Sequence, residues 1–466
     1  MFETMLKKIF ILLFVSLLGN NLFSQTEGCA TQMPAQKMEA LRQFQQQLDL
    51  GQIPLGKKAT KFVPIKIHII GNNQGLGYYA VSSLLQTLCE LNERFTPVGF
   101  HFFLADSISY INNDDFYRGD IDAIYTNADG YKLNGAVNVF FHGVGMQWCG
   151  VYFGGLDVVF IKNSCQGPNA TTLAHELGHF FGLPHTFYGW EGGNTPGEIE
   201  KIDLTNCRTA GDGFCDTKAD YVSSRWGCPL PYVLKDPNNV LFRPDSSMYM
   251  SYSSDYCQSR FSAEQMEAMR ADLNTRNIEA TSAELSKLPP PQKIGPLPQQ
   301  KGVNAKYATL QWNKIPGAMA YHVQVARFGD WSILNFDKLV FDTTAVASLF
   351  GTWPYAWRVR AITAGNTCSE FGAVDTFETR EIPSNLSPVL FDKDGWFFAN
   401  PIVAGGSLVI QPQGEYDISV WNEWGAKIDI GSGRNNITLN DPGLYFVGIK
   451  KQDSFVVKRL IVLQNP

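Results

Sequence analysis

The densest chemistry in the sequence lies at His175-Glu176-Leu177-Gly178-His179-Phe180-Phe181-Gly182-Leu183-Pro184-His185, a run that holds three of the chain's 7 histidines. His175 and His179 are one helical turn apart, so both imidazoles project from one face and can reach a single ion. Glu176 is rotated about 100° from His175 by the helix period. It can reach a water beside that ion rather than the ion itself. Gly182 can take φ > 0 and turn the chain sharply, and Pro184 discourages further helix. The chain then bends back and brings His185 to the same ion. Three neutral imidazoles with a fourth, open position make the pattern of a catalytic zinc site. On composition alone, these residues at these offsets arise with a probability on the order of 10⁻⁵ per chain. The plain alternative, a buried helix with satisfied core histidines, suits a lone histidine rather than three in register.

The elements around this run can be read from periodicity. Thr171 to Phe181 reads as the helix that carries the first two histidines. Lys61 to Ile70 alternates as a strand with Val63, Ile65, Ile67 and Ile69 on one face. Ala80 to Phe95 has helical spacing. Gly99 to Leu104, Ala136 to Phe141 and Asp157 to Ile161 read as strands, the last of buried type. Gly150-Val151-Tyr152-Phe153 is the candidate edge strand for receiving an extended peptide. A loop-rich stretch runs from Gly189 to about Ser246. Ser262 and Gln265 then form a capping box that opens a helix to about Leu273. Five prolines between Leu288 and Gln300 predict a semi-rigid linker. Short alternating strands follow it, such as Thr309 to Trp312, Tyr321 to Val325 and Trp357 to Arg360. They predict a β-sandwich to about Thr379. A further all-β segment runs from about Ser387 to the end.

The chain has 466 residues, enough for roughly three domains. A hydrophobic fraction of 44% with 18% charged residues excludes wholesale disorder. The net charge of −6 argues against a nucleic-acid binder. Lys7 and Lys8 precede an apolar run from Ile9 to Leu18, which describes a secretory signal peptide with cleavage expected after Ser24. About ten apolar residues are too few to span ~30 Å of hydrocarbon, so no membrane span is expected after signal removal. Export permits disulfides. The 9 cysteines leave at least one thiol unpaired within the chain. Cys207, Cys215, Cys228 and Cys257 flank the cleft and allow three pairings. Cys149 and Cys165 are a plausible pair across neighbouring segments, and Cys29, Cys89 and Cys368 remain.

The histidine run resembles that of the metzincin zinc proteases, which carry a methionine turn beneath the metal. Met248-Tyr249-Met250-Ser251-Tyr252 is such a turn. The resemblance puts Met250 under the zinc and gives Tyr252 the stabilisation of the tetrahedral intermediate. Cys207, the run Asp212-Gly213-Phe214-Cys215-Asp216-Thr217, and Tyr252 with Cys257 and Phe261 look like the pappalysins. This likeness covers about residues 60 to 275; it departs at Lys218, where the family usually has proline. It implies an α+β catalytic domain with a twisted mixed sheet and an active-site helix. It also implies calcium in the Asp212, Asp216 and Thr217 loop, for which hard oxygen ligands are suitable. Further implications are Cys228 paired with Cys257, Cys207 paired with Cys215, and Asp255 flooring a pocket that selects Arg or Lys at P1′. Cys29 lies where some zinc proteases place a thiolate on the metal to hold latency.

The mechanism so implied is peptide hydrolysis. Glu176 acts as general base on a zinc-activated water and passes the proton to the leaving amine. Zinc and Tyr252 stabilise the oxyanion. Residues 300 to 380 resemble a fibronectin type III domain, with Trp312, Tyr321 and Trp357 on strands. Asn400-Pro401, Tyr416 to Val420, Gly425, Gly443-Leu444-Tyr445 and Lys458 to Val462 resemble the C-terminal sorting domain of type IX secretion. That resemblance implies type IX machinery as a partner and a protein of a Bacteroidetes-type bacterium, secreted or at the cell surface. The expected organisation has six parts. They are a signal peptide (1–24), a prosegment or extended lead-in (25–60), a catalytic domain (61–280), a linker (281–300), a fibronectin-like sandwich (301–380) and a sorting domain (387–466). A different class of function, a surface adhesin with a vestigial metzincin domain, would fit the β modules. Decay of that kind is expected to lose Glu176 or a histidine, and all are present.

Overall fold

The computed structural model describes residues 29, 31–53, 55–56, 59–119, 121–191, 198–230, 233–276, 278 and 285–380. It also describes 397–398, 402–405, 407–411, 417–422, 426–428, 436–451 and 454–464. The export segment 1–24 and the features Asn400-Pro401, Tyr416 and Gly425 lie outside these residues.

The expected lead-in is not extended: Ala35–Asp49 (α1) is an α-helix. Its sequence is mostly Ala, Gln, Leu, Met, Glu and Lys, which are good helix formers. Only Leu41 and Phe44 enter the core, so its apolar periodicity is faint.

Lys61–Gly71 (β1) is the central strand of a six-stranded mixed sheet. Val81–Phe95 (α2), Phe100–Leu104 (β2) and Ser109–Asn112 (β3) follow. Both β2 and β3 pair in parallel with β1, along successive halves of it. Asp114–Arg118 (α3) and Ile121–Tyr131 (α4) lead to Val137–His142 (β4), parallel to β1 on its other side. Gly150–Phe153 (β5) and Val158–Lys162 (β6) complete the sheet. The order is β2-β1-β4-β6-β5, and β5 is its only strand antiparallel to its neighbour, at the edge. Helices cover both faces, so β1 and β4 are buried nearly throughout, as parallel strands usually are. Val63, Ile65, Ile67 and Ile69 face one core with α2 and the two helices named next; Ile70 faces a second core with Phe116 and Ile124.

Thr172–Phe180 (α5) carries His175 and His179. It stops in a Schellman motif: Gly182 has φ +91°, its N–H bonds to His179 O, and Leu183 N–H bonds to Gly178 O. That reversal returns the chain toward the metal side. Among its described residues, the loop-rich stretch contains the two-residue strands Leu234–Lys235 (β7) and Leu241–Phe242 (β8). Ala263–Thr275 (α6) opens with the Ser262 and Gln265 capping box.

The proline-rich stretch is not linker throughout. Lys293–Gly295 (β9) pairs with Ala308–Trp312 (β11). As an edge strand it tolerates neighbouring prolines. With Thr344–Ala347 (β14) these form a three-stranded sheet. The facing sheet holds Gln300–Asn304 (β10), Ala320–Arg327 (β12), Leu334–Val340 (β13), Pro354–Ile362 (β15) and Asp375–Arg380 (β16). Trp312, Tyr355 and Trp357 fill the space between them. The described residues between 397 and 463 include a five-stranded and a three-stranded sheet around Leu408, Val420, Val447 and Leu460.

The first sandwich is fastened to the catalytic unit. Cys89 on α2 and Cys368 form a disulfide. Ser82 N–H at the start of α2 donates to Asp337 at 3.0 Å, and Leu104 N–H donates to Ala364 O at 2.9 Å. Val81 and Leu85 pack on Ala320 and Ile362.

Candidate metal centre and active site

Helix α5 and its reversal bring three imidazoles together. His179 Nε2 lies 3.1 Å from His175 Nε2 and 3.1 Å from His185 Nε2. His175 Nδ1 lies 2.7 Å from Tyr249 O, His179 Nδ1 2.7 Å from Leu183 O, and His185 Nδ1 3.2 Å from Glu191 Oε1. These acceptors fix each Nδ1 as the protonated nitrogen. Three Nε2 lone pairs therefore point at one another, an arrangement that a shared cation relieves. Burial lowers the His175 pKa to about 4 and holds His179 and His185 well below the usual imidazole range. All three are thus neutral, the form a metal needs. Cys29 Sγ joins them: the four potential ligand atoms lie within 4.8 Å of one another. The donor set of imidazoles and a thiol suits zinc.

Met250 is fully buried, and a Cβ added at Gly178 would lie 2.3 Å from its Sδ. The glycine between the first two histidines is therefore needed for the methionine to sit under α5. The Tyr252 ring lies 5.8 Å from that of His175, tilted, and 5.0 Å from that of His185, edge to face. Its hydroxyl donates to Cys29 O at 2.9 Å and accepts from Cys29 N–H at 3.1 Å. Asp220 joins the methionine turn to the histidine loop by accepting from Ser251 Oγ and Thr186 Oγ1.

Glu176 is 1% exposed, and burial raises its carboxyl to about 8. Oε2 accepts from Thr31 Oγ1 at 3.0 Å and from Cys29 Sγ at 3.3 Å, while Oε1 has no protein partner. Gly150 makes room for that oxygen, since a Cβ there would lie 2.4 Å from it. Cys29 and Thr31 lie along the edge strand. Cys29 forms a parallel bridge with Gly150, and Tyr152 N–H donates to Thr31 Oγ1 at 2.8 Å. Val151 and Phe153 turn to the opposite core from Tyr152.

Cys149–Cys165, Cys207–Cys215 and Cys228–Cys257 are bonded, and with Cys89–Cys368 they leave Cys29 as the free thiol. Asp255 lies in the cavity beside His175, but Arg225 Nη2 at 2.5 Å and Thr171 Oγ1 at 2.9 Å already occupy its Oδ1. Thr217 Oγ1 lies 3.0 and 3.1 Å from the two Asp212 oxygens. Asp216 Oδ2 accepts the Glu264 N–H in the first turn of α6, where unsatisfied donors favour a carboxylate. Beside burial, Asp216 and Asp220 raise the Asp212 carboxyl, and Asp212 and Asp220 raise that of Glu200, so two further buried acids, Glu200 and Asp220, join this group. Neither stands in a recognisable motif; only their sparse apolar surroundings in sequence could have singled them out. Thr31, Glu191 and Arg225 carry no signal in the sequence, because each acts through a contact distant in sequence or a loop bond.

Residues 124–274 match the peptidase M43 family model, described as pregnancy-associated plasma protein-A. The chain is 28% identical over 272 residues to an extracellular metalloprotease of Colletotrichum graminicola, covering 53% of this chain and 89% of that protein. Among solved structures, Tannerella forsythia promirolysin is similar at 16% identity, covering 53% of this chain and 94% of that one, with a TM-score of 0.38. The fn3 domain of human contactin 1 is similar at 13% identity over 24% of this chain and 90% of that one, with a TM-score of 0.18. Residues 124–274 are thus similar to a peptidase M43 metallopeptidase domain. Among the described residues no helix is long and apolar enough to cross a membrane.

Proposed function

We propose that the chain is a secreted zinc-dependent metalloendopeptidase acting on proteins, and that the form described is its latent form. One observation carries this reading: three inward-facing imidazole Nε2 atoms stand beside the buried Glu176 carboxylate. Bound by His175, His179 and His185, zinc would supply Lewis acidity and lower the pKa of a nearby water toward ~7. Glu176 takes a proton from the attacking water and returns it to the leaving amine. The Tyr252 hydroxyl donates to the developing oxyanion. Backbone groups of β5 hold the substrate as an added strand. Met250 is the packed floor under the histidines. The extracellular relatives and the N-terminal sequence support secretion, with residues 387–466 addressing type IX machinery.

Latency rests on Cys29 and Thr31. Cys29 supplies a thiol to the metal group, its backbone engages Tyr252, and Thr31 engages both Glu176 and the β5 edge. The histidine cluster, Glu176 Oε2, the Tyr252 hydroxyl and the Tyr152 N–H are thereby engaged. A basic P1′ preference at Asp255 and a calcium site at Asp212, Asp216 and Thr217, with Glu200 and Asp220 nearby, belong to the same proposal. The test compares zinc-loaded, processed wild type with Glu176→Ala on a peptide library. Cleavage by wild type alone is expected. A folded wild type that cleaves nothing would refute the peptidase and favour the adhesin reading.

A further inference from the structure

The cavity beside His175 has a volume of about 320 Å³. Apart from His175 and Glu176, its charged lining groups are Asp255 and Arg225. They form an ion pair at 2.5 Å, with side chains 29% and 43% exposed. The backbone beneath Arg225 is fixed to the segment that carries Asp255. Trp226 N–H donates to Tyr252 O, Ser254 N–H donates to Trp226 O, and Cys228–Cys257 closes the loop. Arg225 cannot leave as a loop, but its half-exposed side chain can rotate into solvent.

We propose that Arg225 is a specificity-determining residue, a built-in competitor for the basic P1′ side chain that Asp255 would bind. This rests on the peptidase reading. An incoming Arg or Lys meets a carboxylate already paired and must displace a guanidinium before it gains its own contact. The exchange replaces one partly exposed ion pair by another, and such pairs differ little in free energy. A neutral P1′ side chain enters with the pair intact. The chain therefore cleaves before neutral as well as basic residues, and the selectivity that Asp255 could give is held down by Arg225.

The experiment is a P1′ profile of the zinc-loaded, processed protein and its Arg225→Gln and Asp255→Asn variants on one peptide library. Arg225→Gln is expected to raise the ratio of cleavage before Arg or Lys to cleavage before Gln roughly fivefold, the scale of one exposed ion pair. Asp255→Asn leaves Arg225 unpaired and is expected to shift the preference toward Asp and Glu. An Arg225→Gln profile that superimposes on wild type overturns the inference. So does an Asp255→Asn profile with no gain for acidic residues, which covers the case in which the first variant fails to fold. A wild type that cleaves no library member overturns the peptidase reading instead.

Discussion

Removing calcium should make the catalytic unit less stable as the pH rises, against the usual behaviour of carboxylates. Three buried acids stand together at Glu200, Asp212 and Asp220. Burial is the main cause of their raised pKa values, about 9 for Glu200, about 8 for Asp212 and about 6 for Asp220. Neighbouring carboxylates add to the shift at Glu200 and Asp212. In the unfolded chain such groups titrate near 4. The folded, cation-free state therefore holds protons that the unfolded state has released. Stability conferred by such a group is full below about pH 4 and is lost as the pH climbs through the folded value. Each retained proton lowers stability by about 1.4 kcal/mol per pH unit. With Glu200 and Asp212 both holding theirs, the loss from pH 6 to pH 8 is roughly 5 kcal/mol. For a unit of this size that is roughly 10–20 °C in Tm.

A divalent cation replaces those protons and removes the slope. The assay is thermal unfolding at pH 6, 7 and 8 in zinc-containing buffer, with and without added calcium. The calcium-free Tm should fall with pH, the calcium-loaded Tm should stay nearly level, and the gap between them should widen. Glu200→Gln should remove about one proton's share of the calcium-free slope. A calcium effect of equal size at pH 6 and pH 8, or a calcium-free Tm that rises over that range, would refute the reasoning.

Cys29→Ala should weaken latency, so that the full-length protein processes itself faster than wild type in a mass-spectrometric time course. Glu176→Gln should keep the zinc content unchanged while lowering kcat by about 10²–10⁴-fold, the usual contribution of a general base. Gly178→Ala should push on Met250 Sδ, 2.3 Å from the added Cβ, and cost about 1–3 kcal/mol by denaturant unfolding. Cys89→Ser with Cys368→Ser opens a crosslink spanning 279 residues. A proteolytic cut between the catalytic unit and the first sandwich should then release the sandwich under native, non-reducing electrophoresis, whereas the wild type should stay joined.

The sheet strands and α5 were legible because their signals are local. The β1 residues Val63, Ile65, Ile67 and Ile69 share one core as their alternation predicts, and the capping box at Ser262 opens α6. The histidine spacing was legible for the same reason, since a helical turn and a glycine stop are short-range geometry. What escaped depends on distant partners. The α1 helix has formers but few apolar residues, so its anchor is the Lys37 Nζ bond to Phe180 O at 2.5 Å, across 143 positions. Glu200 and Asp220 stand outside the acidic run and reach Asp212 only through the fold. Cys89 found its partner only through the docking of the first sandwich.

The groups left unsatisfied give the strongest link between the two candidate sites. Among the described residues, two buried carboxylate oxygens lack a hydrogen-bond partner: Glu176 Oε1 and Glu200 Oε1. A buried acceptor without a donor costs about 1–3 kcal/mol, more when it is charged, so folds retain such atoms where something else pays for them. Each sits in a site where other groups share the strain. Beside Glu176 three imidazole lone pairs converge; around Glu200 stand two further buried acids and Gly211, where a Cβ would lie 2.3 Å from Glu200 Oε2. The two oxygens nevertheless ask for different partners. Glu176 stands one helical position from a histidine, where a proton in transit would satisfy it. Glu200 stands beside Asp212 and Asp220, where a hard cation would. One fold thus keeps one carboxylate ready to exchange protons and another ready to stop exchanging them.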